Sequence, residues 1–218
     1  MNSSNSSGKT PTRTTSRTTL IAPIESSATL SEALTYLRAG WPIAFPTDTI
    51  YGIGVPALNE EAIHRLYEVK RRPYSSPIPV LLADSADVSQ VVANFPPAAN
   101  NLAQRYWPGG LSLIVSAAAH LPAQLVAEDK TVSVRVPNHA WLRLLIRRLG
   151  QPLATTSANL HSHPNTTTAH EVAAQIGADI PFIVDGGATP GAVPSTIVRC
   201  TTPELQIIRQ GVVVIETK

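Results

Sequence analysis

Four short stretches of this sequence gather residue types that handle anions. They are Phe45-Pro46-Thr47-Asp48-Thr49-Ile50-Tyr51-Gly52, Lys70-Arg71-Arg72-Pro73, Thr131-Val132-Ser133-Val134-Arg135 and Thr155-Thr156-Ser157-Ala158-Asn159. Lys70 offers a compact point charge and Arg72 a planar fork, a pairing suited to a polyphosphate. The same cations in the last turn of a helix would also answer its dipole. Arg135 follows Val132 and Val134 at the end of a strand that otherwise reads as buried. It therefore needs an anionic partner, either another side chain or a ligand. The hydroxyls and amide of Thr155, Thr156, Ser157 and Asn159 could form a phosphate cradle together with backbone N–H groups. An Asx or Ser/Thr turn would use the same residues.

The elements that must carry these groups are legible from periodicity. Leu30, Ala33, Leu34 and Leu37 fall at i, i+3, i+4 and i+7, with Thr29 and Glu32 in capping-box positions and Gly40 as the stop. A second helix, 60–70, places Ile63, Leu66 and Val69 on one face and ends before Pro73. Further helices are expected over 86–92, 97–106, 141–149 and 168–176. Strands are expected over 43–45, 78–82, 111–115, 132–136, 153–155, 182–184, 196–198 and 205–209. Alternation of this kind implies an α/β protein. The close spacing of the last strands makes a twisted, open, mixed parallel/antiparallel sheet flanked by helices the expected fold. In such a sheet the four polar stretches fall at strand ends and turns, where ligand groups are placed.

Composition bounds the function. The 218 residues, 43% of them hydrophobic, suffice for one substantial core. Lys9, Arg13 and Arg17 supply three of the positive charges within the first nineteen residues, which hold no acid. They exceed the chain's net +2 by one, so the remainder carries about −1. With only 5% aromatic residues, this argues against a dedicated RNA-binding surface. The single cysteine, Cys200, excludes an intrachain disulfide and a Cys-based zinc site, so no metal ligands are assigned. No apolar run is long enough for a membrane span, and no secretory h-region is present, so a cytoplasmic protein is expected. Residues 1–20, rich in Ser and Thr, are expected to form a disordered tail.

Some motifs tempt and fail. Gly8-Lys9-Thr10 ends like a P-loop but lacks its first glycine and a preceding strand. Gly52-Ile53-Gly54-Val55-Pro56-Ala57 matches a relaxed dinucleotide fingerprint, yet the following helix starts only near Glu60, too late to meet a pyrophosphate. His161 and His163 lie in a polar loop, where a solvated pair is expected rather than a ligand pair.

Seven segments in order, FPTDTIYGIG, KRRP, TVSVRV, TTSAN, DGG at 185–187, PSTIV at 194–198 and IIRQG at 207–211, resemble the YrdC-like family of threonylcarbamoyl-AMP synthases. The resemblance runs from about Leu30 to Gly211 and implies a YrdC-like catalytic domain over 21–218, of the family's short form. Its K-x-R and S-x-N signature falls on Lys70, Arg72, Ser157 and Asn159, which become the expected catalytic residues. By the same resemblance Thr49, Arg135, Thr155 and Ser195 would hold L-threonine, with Arg135 on its carboxylate. Arg72, Ser76, Thr131, Ser157, Asn165 and Arg209 would line an ATP site. Ser76, His163 and Gln210 depart from the family's frequent Asn, Arg and Pro, around the nucleotide rather than at the signature. The implied reaction joins L-threonine, bicarbonate or CO2 and ATP into threonylcarbamoyl-AMP and pyrophosphate, with Mg²⁺ arriving with ATP. A separate transferase complex would carry the group to tRNA, and weak tRNA contact by this chain is possible. Replacing Lys70 or Arg72 by Ala is expected to keep the fold and remove most activity. Two rival readings are a carbamoyl-adenylate-handling transferase, whose relatives carry a Cys-rich zinc region this chain lacks, and a non-catalytic RNA-binding module.

Overall fold

The structure is a computed structural model that describes residues 18–74, 76–191, 193–202 and 204–215. Residues 1–17 of the expected tail, with the Gly8-Lys9-Thr10 motif, lie outside the described residues. In chain order the strands are β1 (Leu20–Pro23), β2 (Ile43–Phe45), β3 (Gly52–Pro56), β4 (Val80–Leu81), β5 (Val92–Asn94), β6 (Leu111–Ala117), β7 (Thr131–Arg135), β8 (Leu153–Ser157), β9 (Phe182–Asp185), β10 (Thr196–Arg199) and β11 (Gln206–Arg209). The helices are α1 (Ser27–Arg38), α2 (Glu60–Lys70), α3 (Pro97–Tyr106), α4 (Ala140–Leu149) and α5 (Ala169–Ile176).

All the strands join one mixed sheet, in the order β1-β9-β2-β3-β8-β4-β7-β6-β10-β11, with β5 added on β6. Its pairings are parallel at β1–β9, β2–β9, β4–β7 and β6–β10, and antiparallel elsewhere. The mixed α/β architecture is thus the one the alternation of elements implied.

Two apolar clusters flank the sheet. One packs α2, α3 and α5 residues such as Leu66, Ala103 and Val172 against Ile53, Leu113 and Val134. The other packs Leu34 and Leu37 of α1 and Leu142 and Leu145 of α4 against Phe45, Leu153 and Phe182.

Where the structure departs from periodicity, the reason is tertiary. α1 starts at Ser27, not Thr29, so no capping box forms there. The Thr29 hydroxyl is buried and donates to the Pro23 carbonyl at 2.7 Å, tying the helix to β1, a strand whose pairing with β9 the local sequence does not reveal. The stretch expected as a helix over 86–92 is a short 3-10 turn, Ser85–Gln90, and Val92 instead enters β5 opposite Ala117. Gly52–Pro56 is itself a strand between β2 and β8, in keeping with the rejected dinucleotide motif. Its glycines are needed for close approach: a Cβ on Gly54 would lie 2.8 Å from the Thr155 hydroxyl.

Candidate functional site

Strand alternation builds the site. On β7, Val132 and Val134 point into the core, so Thr131, Ser133 and Arg135 face the other way and line a cavity of about 450 Å³. On β6, Leu111, Leu113 and Val115 are buried in the core while Ser112 and Ile114 face the same cavity. On β10 the cavity residues are Ile197 and Arg199. Register aligns them: Ile114 stands opposite Ser133 and Arg199, and Ile197 opposite Ser112 and Arg209. The floor is therefore one face of four adjacent strands. The walls come from the loop carrying Thr47 and Thr49, the loop carrying Arg72, Pro77 and Pro79, the end of β8 with Thr155, Thr156 and Ser157, and from Asn165 and Ser195.

Of the residues expected from sequence, Thr49, Arg72, Thr131, Arg135, Thr155, Ser157, Asn165, Ser195 and Arg209 line this one cavity. Lys70, Ser76 and Asn159 do not. Lys70 is only 2% exposed. Its ammonium Nζ donates to the backbone oxygens of Ser157, at 2.5 Å, and Asn159, and to Asn159 Oδ1 at 3.1 Å. Burial, reinforced by the charge of Arg72, pushes its pKa down to about 7. Lys70 thus fastens the S-x-N segment from behind the wall, and Asn159 closes that segment by donating to the His163 carbonyl. Ser76 contributes its carbonyl, which accepts from Arg72 Nε at 3.1 Å. Of the other departing positions, His163 is exposed, as is His161, and neither lines the cavity. Gln210 donates to the Val213 carbonyl at 2.8 Å.

The charges divide into two kinds. Arg135 is buried and ion-paired with Asp48, also donating to Thr49 Oγ1 at 3.2 Å and to the Gly109 carbonyl at 2.9 Å. Asp48 is the anionic partner that its position at the strand end required. These contacts use three of the five guanidinium N–H groups, so two remain for a ligand. Desolvation pulls the Arg135 pKa down, Asp48 opposes this, and the Arg209 charge adds to the lowering, so the two guanidiniums feel each other. Arg199 is paired with Asp129, which also accepts from Thr131 Oγ1 at 2.6 Å.

Arg72 and Arg209 differ from these. Arg72 donates only to neutral oxygens, those of Ser76, Pro77 and Thr156. Arg209 donates to the carbonyl and hydroxyl of Ser195, whose Oγ lies 3.0 Å from Ser112 Oγ. Among the described residues neither has a carboxylate partner within ion-pair distance. No Asp or Glu among the described residues lines the cavity. Half-buried Arg72 and exposed Arg209, both opening into one cavity without a carboxylate partner among the described residues, can together hold an extended polyanion.

Sequence reasoning assigned no role to Asp48, Ser112, Ser133 or Arg199. Ser112 and Ser133 had a usable signal, a small polar residue alternating with apolar ones on a strand. Asp48 sat inside a segment already singled out, and Arg199 ends its strand as Arg135 does.

Comparisons with known proteins agree with the fold. The Sua5_yciO_yrdC family model, described as "Telomere recombination", matches residues 35–211. The threonylcarbamoyl-AMP synthase of Bacillus subtilis is 37% identical over 183 residues, 84% of this chain and 53% of the relative. That of Vibrio cholerae is 33% identical over 184 residues, 84% of this chain and 97% of the relative. The crystal structure of Pyrococcus abyssi Sua5 complexed with L-threonine superposes with a TM-score of 0.85 at 34% identity, over 88% of this chain and 58% of that one. The chain thus spans about half the length of the Bacillus relative and nearly all of the Vibrio one.

Proposed function

This chain belongs to the Sua5/YciO/YrdC family, and from that premise we propose that it forms threonylcarbamoyl-AMP and pyrophosphate from L-threonine, bicarbonate or CO2, and ATP. In the reaction the threonine amine takes up CO2 and loses a proton, giving an N-carboxylate. One carboxylate oxygen then bonds to the α-phosphorus of ATP, the bond from that phosphorus to the β-phosphate bridge breaks, and pyrophosphate leaves. No enzyme nucleophile is required, so the protein contributes positioning and preorganised charge.

The observation that carries this reading is the pair of uncompensated cations, Arg72 and Arg209, in one cavity with the Asp48-paired Arg135. Arg72 and Arg209 neutralise the triphosphate and the departing pyrophosphate. Arg135, with Thr49, Thr155 and Ser195 nearby, takes the amino-acid carboxylate through its two remaining N–H groups. Ser157 and the adjacent backbone orient phosphate oxygens, while Lys70 and Asn159 hold that segment rigid. Thr131, Asn165 and the Ser76 loop complete the nucleotide end.

For Mg²⁺ the donor set supports one manner of binding. With no cavity carboxylate and no cluster of three or more His, Cys, Asp or Glu among the described residues, the cation fits as a companion of ATP, held by phosphate oxygens and water. Bound so, it would withdraw charge from the leaving group. No helix among the described residues is long and apolar enough to cross a membrane. A cytoplasmic enzyme handing its product to a separate tRNA-modifying transferase completes the proposal.

The test is pyrophosphate release by the purified protein with Mg-ATP, comparing L-threonine, L-serine and no amino acid, with and without bicarbonate. Release requiring both L-threonine and bicarbonate is the expected result. Release independent of threonine, or none, refutes the proposal.

A further inference from the structure

Arg72 sits in a loop without regular structure between α2 and β4, yet its guanidinium must meet a phosphate to within a fraction of an ångström. Arg72 is tied to α2 by its backbone N–H, which donates to the Tyr67 carbonyl at 3.2 Å, and to β8 through Thr156 Oγ1 at 3.3 Å, but its two other acceptors, the carbonyls of Ser76 and Pro77, belong to the same loop and need an anchor of their own. What fixes the loop lies on the side away from the cavity. Tyr67, on α2 and 1% exposed, places its hydroxyl 2.9 Å from the Ser76 carbonyl and 2.9 Å from the Gln124 carbonyl. The Ser76 oxygen therefore joins the Tyr67 hydroxyl to Arg72 Nε. Burial, outweighing the opposing charge of Arg72, raises the Tyr67 pKa, which keeps the phenol protonated and a donor.

A second tie stands beside the first. Tyr74, within the loop, packs its ring 4.7 Å from that of Tyr67 and meets His64 edge-on at 5.4 Å, with its hydroxyl 3.0 Å from His64 Nδ1. Tyr74 is 53% exposed and does not line the cavity. A half-exposed aromatic residue in an irregular loop loses conformational entropy by docking, so its seat between two helix side chains must have a mechanical return. The backbone turns sharply just before: Arg71 caps α2 in the left-handed conformation, with φ of 49°, the N–H groups of Arg71 and Arg72 close onto the Glu68 and Tyr67 carbonyls, and the residues beyond them meet α2 through the Tyr67 and Tyr74 side chains.

We propose that Tyr67 and Tyr74 are positioning residues for Arg72: one clamps the loop by hydrogen bond and the other by ring packing, and together they set the guanidinium against the nucleotide phosphates. Neither touches the substrate. The proposal rests on the nucleotide reading given above.

The test uses Tyr67→Phe, Tyr74→Ala and Tyr74→Phe in the full chain, each measured for ATP KM, L-threonine KM and kcat by pyrophosphate release, for ATP binding by calorimetry, and for thermal midpoint. Losing one hydrogen bond or one ring contact at this distance is expected to weaken ATP binding and raise ATP KM about five- to tenfold. The L-threonine KM should stay within about twofold. Tyr74→Ala, at an exposed position, should leave the thermal midpoint close to wild type, and Tyr74→Phe, which keeps the ring, should recover most of the ATP affinity. ATP affinity within twofold of wild type in both Tyr67→Phe and Tyr74→Ala overturns the proposal, as does an equal rise in both KM values. A wild-type protein that binds ATP but releases no pyrophosphate refutes the reaction reading alone, since calorimetry still reads the loop. Failure to bind ATP at all overturns both.

Discussion

Replacing Lys70 by Met separates two roles for a signature lysine. The substitution keeps the length and apolar stem of the side chain but removes every donor from Nζ. Three oxygens on Ser157 and Asn159 then lose their partner behind the cavity wall. An unpaired buried acceptor costs at least about 1 kcal/mol, so the deficit is about 3 kcal/mol. With a urea m-value of about 2 kcal/mol/M, the unfolding midpoint falls by about 1.5 M, read by tryptophan fluorescence. The deficit also depends on pH. Folding lowers the Lys70 pKa from 10.5 to about 7, so the unfolded chain holds the extra proton between those values and wild-type stability rises with pH across that window. Lys70→Met lacks this gain, and its deficit should widen from pH 7 to pH 9. Pyrophosphate release should fall with it, because the Ser157–Asn159 segment is no longer fastened. If Lys70 were instead an uncompensated charge awaiting phosphate, removing a desolvated ammonium would leave the midpoint unchanged or raise it. That result, with activity lost, would refute the tie argued here. The fold of a Lys70 variant is thus expected to weaken, unlike that of Arg72→Ala, whose guanidinium faces the open cavity.

Other expectations follow from single contacts. His139 caps α4 by accepting the Leu142 N–H at its Nδ1, 3.3 Å away, which only a neutral ring can do. Burial lowers its pKa against the pull of Asp48, so the stability it contributes is present above about 6.5 and lost as pH falls through the folded value. His139→Asn keeps a capping acceptor without a titration, and should flatten the dependence of the urea midpoint on pH below 6.5. Gly54→Ala would set a Cβ 2.8 Å from Thr155 Oγ1 and 3.1 Å from both the Ala154 carbonyl and the Phe45 ring. It should cost about 1–3 kcal/mol by urea unfolding and raise the L-threonine KM by displacing Thr155.

Much of this protein was written locally. The apolar spacing of residues 60–70 gave α2, and the helix expected over 97–106 is α3 with those same bounds, because a helix is satisfied by its own backbone and one apolar face. The polar clusters at strand ends marked the segments that meet in the cavity, since a residue's type limits the chemistry open to it wherever it lands. The sequence could also say that Arg135 needed an anion. Only the tertiary structure named it as Asp48, 87 positions away along the chain. The same holds for the two fates of adjacent cations. Lys70 turns inward onto backbone oxygens of a strand end, and Arg72 turns outward without a carboxylate partner among the described residues. Whether a charge is compensated depends on groups brought close by the sheet order, in which β6 lies between β7 and β10. That order is fixed by burial summed over the whole chain, and no short stretch of residues carries it.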